Sequence, residues 1–384
     1  MPTTISPDLG FSRRRFLERL GAVGGAGLLM AGMDALGFGI ASAQEAPPVL
    51  TGGGKKTKVV VLGAGMAGLT SAYELSNAGY DVTLIEARDF AGGRVQTARK
   101  GFSLTELGGQ TQVCDFDDGH YINHGAWRIP YHHQSLLHYT KEFEVPLELF
   151  VNDNDHSYVY NERGTGPLSK RPVRRQEIAA DIRGYAAEML AKQVNQGALD
   201  AQFGAGDKEI FLNYLRTEGY LSAKDFAYVG ADGRGYDENP GAGVHPGPGR
   251  ESRPHAFADV LHNNGWQTLS SVASFEQQRT MFQPVGGMDR TPAAFVRNLK
   301  VPVRFSTKVE KIMQDANKVE VAYVSKNGNR GVITADYCIC TLPLSVLRNV
   351  DLQVTPKFKQ AIASVAYAPV GKIGVQMKRR FWEE

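Results

Sequence analysis

Lys58–Leu62 reads KVVVL and runs straight into Gly63-Ala64-Gly65-Met66-Ala67-Gly68, a junction that constrains the fold more than any other stretch. A short β-branched run of this kind suits a buried parallel strand. A helix is predicted over Met66–Asn77, with Gly79 placed to end it. Asp81–Ile85 is a second strand-like run and leads into Glu86, about 20 residues past the glycines. Each part has a physical task. Gly63 permits the tight turn, Gly65 lets the backbone approach a pyrophosphate, and Gly68 allows the helix to pack closely on the strand. Met66 and Ala67 open the helix, where N–H groups without helical partners hold phosphate charge. Glu86 can accept hydrogen bonds from both ribose hydroxyls, and its charge would repel a 2′-phosphate. A bare glycine triplet is weak evidence. Strand, turn, helix, strand and acid in order define an α/β dinucleotide-binding unit but leave the dinucleotide open.

The next residues narrow it. Glu86-Ala87-Arg88 leads through Asp89-Phe90-Ala91 to Gly92-Gly93-Arg94. Two glycines let the main chain lie against a flat ring or a phosphate, and Arg94 supplies a forked cation for a pyrophosphate. This stretch resembles the second FAD signature of the flavin amine oxidase family, which includes monoamine, polyamine and L-amino-acid oxidases. The pattern is most similar to bacterial L-amino-acid oxidases. The resemblance implies FAD as cofactor, with Ala87, Arg88, Gly93 and Arg94 beside it. Glu106–Gln110 (ELGGQ) resembles the family segment that approaches the flavin, although a Gly-Gly turn before a strand reads the same.

Tyr121–Pro130 (YINHGAWRIP) resembles the G-x-x-R-[IL]-P segment of L-amino-acid oxidases. The resemblance makes Arg128 the clamp for a substrate carboxylate and lays Gly125, Ala126, Trp127 and Arg128 along the cofactor. The chemistry asks for such a group: a guanidinium binds a planar carboxylate through two parallel hydrogen bonds and so fixes the neighbouring carbon. Simple amines have no carboxylate and need no such arginine. Trp127 stands where the family has Met or a similar residue, and a larger aromatic narrows the pocket. Pro284–Arg290 resembles the family's GGMD turn back into the cofactor domain. Val309 resembles the valine whose backbone holds the adenine, and Lys372 resembles the lysine that holds a water at the flavin N5.

The remaining chain is read from pattern. Helices are predicted over 133–143, 176–196, 207–218 and 292–298, the second presenting Ile178, Ile182, Tyr185, Met189 and Leu190 on one side. Strands are predicted over 303–312, 319–324, 331–334 and 336–342, with an Asn-Gly hairpin turn at 327–328. Cys338 and Cys340 are expected to share a core face. Gly230–Arg253, rich in Gly and Pro, can hardly be regular and is either an access lid or a disordered loop.

Before all this, Arg13 and Arg14 precede an apolar Gly- and Ala-rich stretch that closes on Ala41-Ser42-Ala43. That pattern is a twin-arginine (Tat) signal, implying export to the periplasm or beyond; Asp34 and the glycines argue against a retained anchor. A net charge of +3 on 384 residues points away from nucleic acid. Three cysteines make no disulfide framework, and no metal-ligand spacing is visible among the nine histidines.

The expected architecture is α/β: a doubly wound, Rossmann-like FAD-binding domain in discontinuous segments, an α+β substrate domain and a helical insertion. Its parts are a signal (1–43), a linker (44–57), FAD-binding segments (58–115 and 277–345), substrate-domain segments (116–150 and 346–384) and the insertion (151–276). The family continues past the point where Glu384 falls, so the resemblance also implies a C-terminally truncated chain that holds FAD weakly. The implied reaction takes an L-amino acid and O2 to a 2-oxo acid, ammonia and hydrogen peroxide, with a homodimer possible. A decarboxylating amino-acid monooxygenase, an amine oxidase and a non-catalytic FAD-binding protein stay open beside it.

Overall fold

The computed structural model describes residues 50, 56–105, 109–152, 154–204, 206–230, 232–241, 247–267, 269, 277, 279–368 and 370–380. The expected signal (1–43), most of the linker (44–57) and Glu106–Gly108 of the ELGGQ segment lie outside them. The chain packs as two compact units: the described residues up to Phe150 with Thr280–Lys378, and those of Val151–Arg279 with 379–380.

The first unit is mixed α/β and holds a four-stranded parallel sheet. Its order is Val303–Arg304, Asp81–Ile85, Lys58–Leu62, Tyr337–Cys340. We call the central strand Lys58–Leu62 β1, its neighbour Asp81–Ile85 β2, and the helix Met66–Asn77 between them α1. β1 is sealed on both faces. Val59, Val61, Leu69, Leu84 and Phe295 form a core on one side, and Val60, Leu62, Ile85, Val309 and Val321 form a core on the other. Burial on two faces is why the strand is a continuous β-branched run rather than an alternating one.

The long strand expected over 303–312 is two strands, Val303–Arg304 and Thr307–Gln314. The break falls at Ser306, whose φ of +50° turns the chain out of the parallel sheet. The second strand pairs antiparallel with Val319–Ser325, which pairs in turn with Arg330–Ala335. A third sheet joins Ile129–Pro130, Met281–Pro284 and Leu147–Phe150, all antiparallel. Of the two cysteines expected in the core, only Cys338 packs against it. Cys338 is half-buried and Cys340 exposed, because Tyr337–Cys340 is an edge strand of the parallel sheet.

The second unit contains the helices Arg175–Asn195, Asp207–Glu218 and Phe257–Asn263. The long helix buries its expected face only in part: Ile178 is buried and Ile182, Tyr185 and Leu190 are half-buried against the cores, but Met189 is 49% exposed. The most buried positions beside Ile178 are Asp181, Gly184, Ala187, Ala191 and Val194. Small residues win because neighbours come so close: a Cβ on Gly184 would overlap the Tyr228 ring.

Gly230–Arg253 is also more regular than expected. It holds a 3-10 turn at Asp232–Arg234 and an antiparallel pair, Tyr236–Glu238 with Arg250–Glu251; residues 231 and 242–246 lie outside the described set. Arg234, 1% exposed, anchors it to Asp181, 0% exposed, on the long helix. Arg234 Nε donates to Asp181 Oδ1 at 2.7 Å, beside the Tyr228 hydroxyl at 2.9 Å. Asp181 Oδ2 accepts from Arg234 Nη2 at 3.3 Å and from the His255 N–H at 3.0 Å. Arg234 Nη1 donates to Ser252 Oγ. Four bonds fill the carboxylate's acceptor sites, which is what makes a buried charge tolerable.

Candidate active site

In the first unit the separate glycine-rich segments form one seam. The Gly63 N–H donates to the Ile85 carbonyl at 2.8 Å, and Gly63 takes φ of +97° to make the turn out of β1. A Cβ on Gly68 would strike the Gly63 carbonyl, so only glycine lets α1 start this close to its strand. Gly65 bridges Gly92, and the Gly92 N–H donates to the Ala64 carbonyl at 2.8 Å. Gly93 lies so near that a Cβ on it would stand 3.2 Å from Gly65 Cα. Gly125 continues the seam: a Cβ there would overlap the Arg94 carbonyl, to which the Ala126 N–H donates at 3.3 Å.

The seam has the chemistry of a dinucleotide cradle. α1 begins at Gly65 with no side-chain cap and no acidic residue in its first turn, where Met66 and Ala67 sit. Its N-terminal N–H groups and dipole therefore favour an anion there. A Cβ on Gly65 would meet nothing within 4 Å, so the backbone is open to close approach. Glu86 Oε2 accepts from the Ala64 N–H at 2.7 Å and Oε1 from the Arg88 N–H at 2.9 Å. Each carboxylate oxygen keeps a lone pair for a hydroxyl donor. Arg94 is exposed and has no ionic partner among the described residues, whereas Arg88 Nη1 is committed to the Gly93 carbonyl at 3.0 Å. Ala87 is exposed beside Glu86. The Glu86 carbonyl accepts from the Thr307 N–H at 2.8 Å, bringing the strand that carries Val309 to the acid. The Val309 side chain is core; its backbone pairs with Tyr323. These residues fit an FAD.

The segment from Tyr121 to Arg128 and the segment carrying Lys372 meet around Trp127. The Lys372 ammonium stands 4.4 Å from the Trp127 ring centroid, with the Arg128 guanidinium 5.2 Å from the same ring. Lys372 Nζ donates to the Asn123 carbonyl at 3.3 Å and to the Gly125 carbonyl. Burial and then the Arg128 charge hold its pKa below the ordinary 10.5. Burial, with the charges of Lys372 and Arg88, likewise lowers His124 and favours its neutral form. A cavity of about 530 Å³ opens here, lined by Tyr121, Asn123, Trp127, Phe150, Gln283 and Lys372 among others. No described residue of its lining is acidic. Arg128 is half-buried and does not itself line the cavity; the 44% exposed Trp127 ring connects the two.

The expected strand around Lys372 does not pair. Residues 370–378 belong to no strand among the described residues and are placed by side chains instead. Gly374 packs against Ile122 and Phe116, and Gln376 accepts from the Asp117 N–H at 2.8 Å.

Sequence reasoning missed the polar group that ties these parts together. Asn123 is buried, and its Oδ1 accepts from Thr97 Oγ1 at 2.7 Å and from the Met288 N–H at 2.9 Å. Thr97 Oγ1 accepts from the Asp289 N–H at 3.2 Å, and Asp289 takes both Nη groups of Arg99 at 2.7 and 2.9 Å. Only the GGMD resemblance placed Asp289 near the site; nothing local marked Asn123 or Thr97.

The chain belongs to the flavin containing amine oxidoreductases, whose pattern it matches over residues 66–384. That membership implies FAD as the cofactor. Among similar proteins are L-amino-acid oxidases of Protobothrops flavoviridis and Vipera ammodytes ammodytes, each 28% identical over 357 residues. These matches cover 89% of this chain and 64% and 66% of the relatives. That of Echis ocellatus is 29% identical over 371 residues, covering 90% of this chain and 65% of the relative. The chain thus spans just under two thirds of the length of these relatives.

Proposed function

We propose that the parallel sheet is the core of a doubly wound FAD-binding domain and that the protein oxidises L-amino acids to 2-oxo acids, ammonia and hydrogen peroxide. One observation carries the amino-acid reading: two cations, Arg128 and Lys372, stand on the same Trp127 ring beside a cavity with no acidic residue among its described lining. Such a site attracts a carboxylate and disfavours an ammonium. Arg128 grips the carboxylate as a fork and fixes the α-carbon. The same positive field promotes loss of the substrate's ammonium proton, which must precede oxidation. The flavin, when bound, supplies the two-electron acceptor that O2 regenerates. Lys372 holds a water at the reacting face, its ammonium kept in place by the Asn123 and Gly125 carbonyls.

The rate is expected to rise with pH as the substrate amine is freed. It then falls as Lys372 loses its proton, at a pH below that of an ordinary lysine because its pKa is lowered. Anaerobic flavin reduction with a panel of L-amino acids, followed by product analysis in air, tests the assignment. A 2-oxo acid with peroxide supports it; an amide with carbon dioxide points to the monooxygenase alternative; reduction by amines alone overturns it. We also propose Tat-dependent export on the strength of Arg13-Arg14 and the apolar run behind them. Replacing both by lysine should leave the protein in the cytoplasm, and unchanged export would reject the idea.

A further inference from the structure

The Lys372 ammonium is held by carbonyls of one short stretch, Asn123 to Gly125, so the placement of that stretch decides where the charge stands. Backbone bonds hold it on either side. Ile122 exchanges two hydrogen bonds with Ala98, and Ala126 bonds to Arg94. Between these points the side chain of Asn123 makes the tie: Oδ1 takes the Met288 N–H and the Thr97 hydroxyl together. A backbone N–H can only donate, so the atom it reaches must be the amide oxygen, which fixes the orientation of the side chain. Behind it, Arg99 holds Asp289, and Asp289 bonds to Thr97. Gly287 cannot be enlarged, since a Cβ would press on Thr97.

We propose that Asn123 is a positioning residue for Lys372, coupling the Gly286–Asp289 turn to the pair of carbonyls that carries the ammonium. This rests on the reading of Lys372 given above. Charged or titratable groups facing the ammonium are Arg128 and His124, with Tyr121 lining the same cavity and Arg88 acting on His124 in turn. Ammonium-to-carbonyl bonds favour the charged form, so loosening them should lower the pKa of Lys372, and a nearby negative charge should raise it.

Two substitutions separate positioning from simple support. Asn123→Ala removes the acceptor, whereas Asn123→Asp keeps an acceptor for both donors and adds a charge. In the flavin-loaded protein, Asn123→Ala should slow anaerobic reduction by about tenfold to a hundredfold, as expected for a misplaced group, with half-saturation changed less than about threefold. Its alkaline limb should move down by about half a pH unit or more, and that of Asn123→Asp should move up by a similar amount. The same opposite shifts should appear without turnover, in the pH at which Lys372 reacts with an amine-directed reagent, read by peptide mass spectrometry. Lys372→Met serves as the reference and should abolish the limb. If Lys372→Met leaves rate and limb unchanged, the reading of Lys372 itself is overturned. If it abolishes the limb while both Asn123 variants keep the wild-type limb and reactivity, the positioning role alone is overturned.

Discussion

Around Gly65, Gly93 and Gly125, side chains are left out so that three backbone segments can touch and one face stays open. Around Arg234, side chains are packed in until every acceptor site of Asp181 is filled and no face is open. The first region is made to receive a charged ligand, and its donors remain uncommitted until one arrives. The second is closed on itself and serves to hold Gly230–Arg253 to a helix. Polar groups therefore mean opposite things in the two units. In the seam an uncapped helix start and an Arg94 with no ionic partner among the described residues are available, while in the anchor a fully paired arginine is structural.

The sharpest way to break this contrast is Arg234→Met. It leaves a carboxylate buried without its cation, which should cost about 3–5 kcal/mol. Urea unfolding should show the loss, and amide exchange should rise first across the described part of Gly230–Arg253. Unchanged stability would mean that the anchor is incidental. Gly125→Ala should come next, costing about 1–3 kcal/mol of overpacking where the Cβ meets Arg94. Equilibrium dialysis should show FAD retention falling, while the second unit unfolds as before.

Glu86→Gln is milder. One amide oxygen cannot serve both the Ala64 and Arg88 N–H groups and a ribose as well, so FAD affinity should drop about tenfold. The smallest effect belongs to acid. Burial by itself would raise the Glu177 carboxyl, but the His255 hydrogen bond and the charges of Arg234, His255 and Arg174 bring it below the ordinary 4.5. A depressed carboxylate contributes stability that is fully present above its unfolded value and is lost as pH falls through the folded one. Unfolding scans between pH 6 and about 3 should show this loss, and Glu177→Gln should flatten it.

The same contrast explains what the sequence revealed. The seam was legible because glycines, a β-branched run and one acid sit at fixed local spacings, each with a separate reason. α1 forms over the residues expected, Met66–Asn77. The helix Asp207–Glu218 likewise forms over the residues predicted for it. The anchor was not legible, since Arg234 meets a partner 53 residues away and no local pattern distinguishes it from a solvated arginine in a Gly-rich loop. Asn123 was hidden for the same reason, its partners being 26 and 165 residues distant. On the long helix, hydrophobic size misplaced Met189, because close packing against Tyr228 sets the most buried line at Gly184 and its small neighbours. Ser306 was missed because a positive φ at a serine has no composition signal.

Pairing each L-amino acid with the amine left after its carboxylate is removed tests the role of Arg128 most directly. Anaerobic reduction rates would be measured for both in the wild type and in Arg128→Ala. The acid should lose at least about a hundredfold with the variant, as for a lost bidentate charge contact, while the amine stays within a few-fold of its starting rate. Equal losses for acid and amine, or none for either, would contradict a carboxylate held at position 128.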